Sequence, residues 1–390
     1  MPTSVRSYSK INLGLAIGPV RGDGFHGLAT LYQTLDLHDL VTVSARRLVS
    51  GETRIALTTN HPFVPRDGRN TAWRMVEGCL ARLGVAAEVE IHIEKRLPVQ
   101  GGLGAGSANA AAALLGLERE LEIALPGVER LKLAAEIGSD VPLFLLGGAV
   151  LGLGRGELVV PMPDLPKTWC VVAVPQVGVS TPAAFKAWDA VGVQSKGRTS
   201  GAKAPHFEED GDGTAEAVPL TKPISPEGNV RLVGVAGTEA AGLTSPPQVD
   251  RLQELSLAYS SLSAKTGDSR PGTSGILREQ SSEKQRDSLD ANREHALNDL
   301  AENTLLALVR TGIGSDSLLG LHNDFEDVVF PQYPSLRTTK RQLMGSDSDG
   351  SGVDRSAIYA ALSGSGSAVF GLYRSEQDAK AAQQRVQSSG

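Results

Sequence analysis

Apolar and charged residues alternate with period two from Val89 to Glu94. Val89, Ile91 and Ile93 share one face and Glu90, His92 and Glu94 the other, which predicts a half-buried strand. Ile11, Leu13, Leu15 and Ile17 repeat the pattern near the start of the chain, with Lys10, Asn12 and Gly14 on the opposite face. Helical stretches separate such strands at Ala72 to Leu83 and Leu131 to Ile137, and at Ala108 to Glu120, where strong helix formers run with no breaker except Gly116. Strands, glycine turns and helices from Val5 to about Leu158 predict one α+β domain, placed at residues 1–160. A second domain, residues 161–390, opens with Val171 to Val174. It continues through Ala296 to Leu308, Leu318 to Asp327 and Ala357 to Tyr373.

That second domain is interrupted. From about residue 191 to 292 the chain is rich in Ser, Gly, Pro, Glu and Lys, with Phe207 and Tyr259 its only aromatics. Such a segment buries too little apolar surface to offset its ordering entropy, so a disordered insertion is expected. Within it, Leu252, Leu255, Tyr259 and Leu262 fall on one helical face between Asp250 and Ala264.

The stretch from Pro98 to Ala110 places the glycines Gly101, Gly102, Gly104 and Gly106 between the strand ending at Glu94 and the alanine-rich helix. Glycines let backbone N–H groups approach an anion, and a helix start adds unpaired donors and a positive dipole end. The loop suits phosphate, although a tight turn without ligand has the same outline. It is not the dinucleotide fingerprint, which needs a third glycine where Ser107 or Asn109 stands, and the chain holds no G-x-x-x-x-G-K-[ST] loop.

Composition narrows the remaining choices. A chain of 390 residues with 41% hydrophobic content supports two cored domains, and no run approaches a membrane span. The segment after Met1 has neither an apolar signal core nor a transit pattern, so a cytoplasmic location is expected. A net charge of −6 without a basic block speaks against nucleic acid. Cys79 and Cys170 are too few and too far apart for a disulfide framework and are read as buried small hydrophobes.

Three further places could carry chemistry. Lys10 is either solvated or aimed at something anionic. Asp140, in Gly138-Ser139-Asp140-Val141-Pro142, is either a turn or helix-cap carboxylate or a functional one. Ser363-Gly364-Ser365-Gly366-Ser367 precedes an apolar strand and alone is a flexible turn. The run Gly345 to Gly352 lacks the spacing and closing glutamate of a calcium loop and is read as a surface loop.

Taken in order, these segments resemble the GHMP kinase superfamily. The matching residues are Ser9 to Leu13, Asp23 to Leu28 with Thr30 to Gln33, the loop from Lys95 to Ala110, Ser139 to Pro142, Thr181 to Phe185, Asn323 to Glu326 and Gly364 to Phe370. The resemblance implies an N-terminal domain like ribosomal protein S5 domain 2 and a ferredoxin-like C-terminal domain. It also implies an ATP-dependent small-molecule kinase, using magnesium, in the branch acting on a cytidyl intermediate of isoprenoid synthesis. Asp140 would be the general base and Lys10 its countercharge and a phosphate stabiliser. Asn12, Gly364 and Gly366 would meet the substrate. Pro98, Gly101, Gly102, Leu103, Gly104, Ala105, Gly106 and Ser107 would cradle ATP, with Asn70 and Lys95 around the adenine. Phe25 and Phe185 would sandwich the cytosine while His26 reads its edge. The chain departs from the pattern at Phe25, where tyrosine is usual, and at Gln100, Ala105 and Ala108, where Gly, Gly and Ser are common. No carboxylate is assigned to magnesium, and Glu157 is read as structural. A monomer or homodimer is expected. The alternatives are a GHMP kinase for homoserine, mevalonate or a sugar, and a nucleotide-binding homologue without catalysis; Phe25, His26 and Phe185 speak against the first, Lys10 with Asp140 against the second.

Overall fold

The computed structural model describes residues 1–99, 101–162, 164–165, 168–198, 321–345 and 356–388. The chain divides into two units, Met1–Val191 with Pro247–Gly390, and Gly192–Pro246. The sheets and the site below belong to the first. The stretch Asp250 to Ala264, the insertion after 198, Ala296 to Leu308, Gln100 and most of Gly345 to Gly352 lie outside the described residues.

The first sheet is built on a long hairpin. Strand β1 (Thr3–Val20) pairs antiparallel with β2 (His26–Arg47). β2 also pairs with β4 (Ala87–Glu94) along its second half and with β5 (Ala149–Gly154) along its first. β3 (Arg54–Thr59) lies parallel to β4, and β6 (Leu158–Met162) closes the other edge beside β5. The expected alternation on β4 is realised, with Val89, Ile91 and Ile93 buried and His92 exposed.

Helices α1 (Thr71–Leu83), α2 (Ala105–Leu121), α3 (Gly127–Ile137) and α4 (Val141–Leu146) share one core with this sheet. The alanines of α2 make its close approach possible: Ala108 and Ala110 to Ala113 are fully buried, and a Cβ on Gly116 would lie 2.8 Å from Val43. A helix apolar on nearly every side belongs inside a core, and this one runs under the sheet.

The second sheet has the order β7 (Trp169–Ala173), β9 (Val369–Tyr373), β8 (Tyr359–Leu362), all antiparallel. Helices α5 (Thr181–Arg198), α6 (Phe325–Gln332), α7 (Pro334–Met344) and α8 (Glu376–Ser388) accompany it. α5 continues seven residues beyond Val191, where the composition shift begins. The segment Asn323-Asp324-Phe325-Glu326 ties the two sheets together. Asn323 donates to the carbonyls of Leu362 and Gly364, Asp324 accepts from the Ile17 N–H, and Glu326 accepts from the Leu362 N–H. β1 thereby delivers its polar face to the turn before β9. Among the described residues no helix is long and apolar enough to cross a membrane.

Candidate active site

The chain leaves β4 under tight control. Lys95 forms a buried ion pair with Asp39, whose other carboxylate oxygen accepts the N–H groups of Arg96 and Leu97. The glycine loop follows. Its two left-handed positions are Gly102 (φ +76°) and Gly104 (φ +70°), where only glycine is at ease. Ala105 sits beyond them as the first residue of α2, so its side chain meets no strained backbone. The loop carbonyls are turned inward: Leu103 accepts from the Lys10 N–H at 3.0 Å, Gly102 from the Ser363 hydroxyl at 2.9 Å and Gly101 from the Ala368 N–H at 3.0 Å. The N–H groups of Ala105, Gly106 and Ser107 begin the helix, where no earlier turn supplies carbonyls, and Gly106 is exposed. An anion can reach them.

Lys10 lies directly under this loop. A Cβ on Gly104 would sit 3.0 Å from the Lys10 side chain, and one on Gly364 would sit 3.7 Å from Lys10 Nζ. The lysine is 3% exposed, which excludes the solvated reading, because an ammonium so enclosed must have polar partners. Nζ donates to Asn12 Oδ1 at 2.7 Å and lies 3.5 Å from Asp140 Oδ2. Asn12 donates onward to the Thr30 hydroxyl at 2.7 Å, which fixes its amide.

Asp140 occupies the N-cap position of α4 yet makes no capping hydrogen bond. Its carboxylate turns to Lys10 and to Tyr32, whose hydroxyl donates to Oδ1 at 2.9 Å. The cap reading is thus set aside by the side chain's own direction. About a third of this side chain, 32%, remains open to solvent. Burial first, and the Asp140 charge second, raise the Tyr32 phenol well above its ordinary value, so it stays protonated and donates. Tyr32 has no role in the reading from sequence. The signal for it was present in Gly152-Leu153-Gly154-Arg155-Gly156: a Cβ on Gly152 would lie 2.5 Å from the Tyr32 ring and one on Gly156 2.6 Å from its hydroxyl.

At the far end of the β1–β2 hairpin, His26 and Phe185 pair with each other while Phe25 stands apart. Phe185 stacks on His26, with centroids 5.1 Å apart and planes 8° apart, and meets Phe325 edgewise. Phe25 stands 53% exposed, with the Arg155 guanidinium 4.9 Å from its ring centroid. The physical reason is that His26 is pinned at both nitrogens, Nδ1 against the Gly18 carbonyl at 3.0 Å and Nε2 against Asp189 at 3.1 Å, leaving its flat face for Phe185. Asn70 caps α1, accepting from the Ala72 N–H at 2.9 Å and donating to the Pro65 carbonyl at 2.8 Å. The polar atoms of Asn70 and Lys95 therefore serve the frame. Cys170 is only partly buried, and burial pushes both thiols up to about 12, so neither is a thiolate nucleophile. Among the described residues no three His, Cys, Asp or Glu side chains converge as a metal cluster.

Residues 70–148 match the family model for the GHMP kinases N terminal domain, and residues 303–390 the model for the GHMP kinases C terminal domain. Proteins named 4-diphosphocytidyl-2-C-methyl-D-erythritol kinase are similar in sequence. That of Nocardioides sp. is 42% identical over 185 residues, covering 47% of this chain and 62% of the relative. That of Rhodococcus jostii is 41% identical over 188 residues, 48% of this chain and 60% of the relative. The match to the Gloeobacter violaceus protein is 34% over 278 residues, 70% of this chain and 85% of the relative. The chain spans about three fifths of the length of the first two relatives, at 62% and 60%. In fold it resembles a crystal structure of 4-(cytidine 5'-diphospho)-2C-methyl-D-erythritol kinase, with a TM-score of 0.56, 22% identity and coverage of 100% of this chain and 96% of that one. A homoserine kinase from Cytophaga hutchinsonii follows, with a TM-score of 0.52, 18% identity and coverage of 99% and 90%. With the Gloeobacter violaceus relative aligned over most of its length, both family models in order and the glycine loop in place, the chain belongs to the GHMP kinases.

Proposed function

We propose that this chain transfers the γ-phosphoryl group of ATP to the 2-hydroxyl of 4-diphosphocytidyl-2-C-methyl-D-erythritol. The observation that carries the reading is Asp140: a carboxylate that leaves its own helix uncapped to face Lys10 and Tyr32, beside the start of α2. Phosphoryl transfer asks a protein chiefly to position its reactants and stabilise charge, with one group accepting the alcohol proton. Asp140 Oδ2 accepts that proton. Tyr32 holds Oδ1, and its raised pKa keeps it from competing as base. Lys10 stabilises the charge that builds on the transferring oxygens, and Asn12, held by Thr30, orients the hydroxyl with Gly364 at its side.

The amides at the start of α2 receive the phosphates, from the loop spanning Pro98, Gly101, Gly102, Leu103, Gly104, Ala105, Gly106 and Ser107. Asn70 and Lys95 act on the nucleotide by fixing the surrounding walls, since their polar atoms are bonded within the chain. Magnesium, carried in with ATP, would supply neutralisation of the phosphate charge; among the described residues no three His, Cys, Asp or Glu side chains are grouped to hold it, and no carboxylate is assigned to it. The cytosine lies against Phe25 and the His26–Phe185 stack, on platforms whose worth is about 1–3 kcal/mol per stacked base. Residues 1–160 form the nucleotide-binding domain and 161–390 the partner domain in this reading.

Steady-state turnover with ATP and a panel of alcohols tests the reading. The cytidyl alcohol is expected to exceed homoserine and mevalonate in kcat/KM by orders of magnitude; preference for either of the others would overturn the assignment of substrate. Within the site, Tyr32→Phe removes one hydrogen bond to a charged group, worth about 1.5 kcal/mol or roughly tenfold in kcat/KM. Melting temperature should barely move, because the ring and its packing remain. An unchanged kcat would show that Tyr32 does not position Asp140.

A further inference from the structure

The hairpin turn between β5 and β6 joins the two ends of the site. The Gly156 N–H donates to the Leu153 carbonyl at 2.9 Å, and Gly154 and Gly156 both have positive φ, at +74° and +103°. On one side, a Cβ at Gly156 would lie 3.9 Å from Asp140 Oδ1. On the other, Gly154 pairs with Leu28, two residues from His26. Arg155 stands between these neighbours. Its guanidinium reaches the Phe25 ring at 4.9 Å, while Glu157 accepts its backbone N–H and lies 3.7 Å from its Nε. The side chain is 32% exposed and lies beside the exposed Phe25. Arg21, at the tip of the neighbouring hairpin, is paired with Asp23 at 3.2 Å.

We propose that Arg155 binds a diphosphate linking base to alcohol and selects substrates that carry one. The inference rests on the reading that the alcohol sits at Asp140 and the base at Phe25. A linker between those ends must cross the stretch that Arg155 spans. A guanidinium suits the place, because its planar fork meets two phosphate oxygens at once and its face stacks on an aromatic ring without losing those donors. With a net charge of −6, the chain offers no general attraction for such a linker, so the cation must be local.

Titration of the full chain with cytidine and with cytidine 5'-diphosphate, in the presence of a saturating non-hydrolysable ATP analogue, tests the proposal. Wild type should bind the diphosphate at least about tenfold more tightly than cytidine, the scale of a charge-assisted hydrogen-bonded pair. Arg155→Gln should bring that ratio close to one while cytidine affinity stays within a few-fold, and Arg155→Lys should restore part of it. In turnover, Arg155→Gln should raise KM for the diphosphocytidyl alcohol and leave KM for ATP unchanged. A ratio unchanged in Arg155→Gln, or equal losses for both ligands, would overturn the proposal and reduce Arg155 to a prop for Phe25. Wild-type protein that binds neither cytidine compound would overturn the functional reading with it.

Discussion

Asp140→Asn is expected to lower kcat by about 10²–10⁴-fold, the usual loss when a general base is removed. The fold should survive. Asparagine keeps the shape of the side chain and an oxygen for the Tyr32 hydroxyl, so only proton acceptance and the negative charge are lost. Lys10 keeps its bond to Asn12 at 2.7 Å, which limits the cost of losing its countercharge. ATP affinity, measured by titration, should remain within a few-fold of wild type if, as proposed, the phosphates meet the α2 amides. Retention of most of the wild-type kcat would remove Asp140 from the mechanism.

Gly102→Ala should be the most damaging substitution in the loop. Its new Cβ would lie within 2.3 Å of the Ser363 carbonyl oxygen and 3.1 Å of the Gly366 oxygen, both backbone atoms with no rotamer to change. The position is also left-handed, at φ +76°, which costs an alanine about 1–3 kcal/mol before any clash. Together these predict a loss of roughly 3–5 kcal/mol, visible as a lower melting temperature and weakened ATP binding. Gly101→Ala is the internal control. Its Cβ would find ordinary contact with Val174 at 3.5 Å, and its φ is not left-handed, so a shift below about 1 kcal/mol is expected. Equal stability for the two variants would mean that the loop is not clamped against the turn before β9.

The contrast between these glycines shows which parts of the site are legible locally. β4, α1 and α2 follow from periodicity because one face of each meets a single core. β1 is harder: from Ser9 to Gly18 every residue is buried, so alternation separates two interior faces and says nothing about which meets a ligand. The register also shifts between Tyr8 and Lys10 and again between Asn12 and Gly14, a feature that depends on β2. Sequence leaves Asp140 open between cap and function because the two readings differ only in where the carboxylate points, and its direction is set by Tyr32, 108 residues away. Tyr32 carries no local sign of its role; the glycines that make room for it lie on β5 and in the turn that follows. The same limit explains the rings near His26: stacking with Phe185 is decided by Gly18 and Asp189, neither of which is informative alone. The chemistry of single residues is readable in sequence, whereas the partners that aim them are supplied by distant strands.

The most direct measurement is ³¹P NMR of a mixture of this protein, magnesium, ATP and 4-diphosphocytidyl-2-C-methyl-D-erythritol. The γ-phosphate signal should be lost and one phosphomonoester signal should grow in equal amount, coupled to the carbon skeleton at the 2-position, with the substrate's diphosphate intact. ADP with free inorganic phosphate and no new ester, or an ester at another hydroxyl, would contradict the proposed reaction.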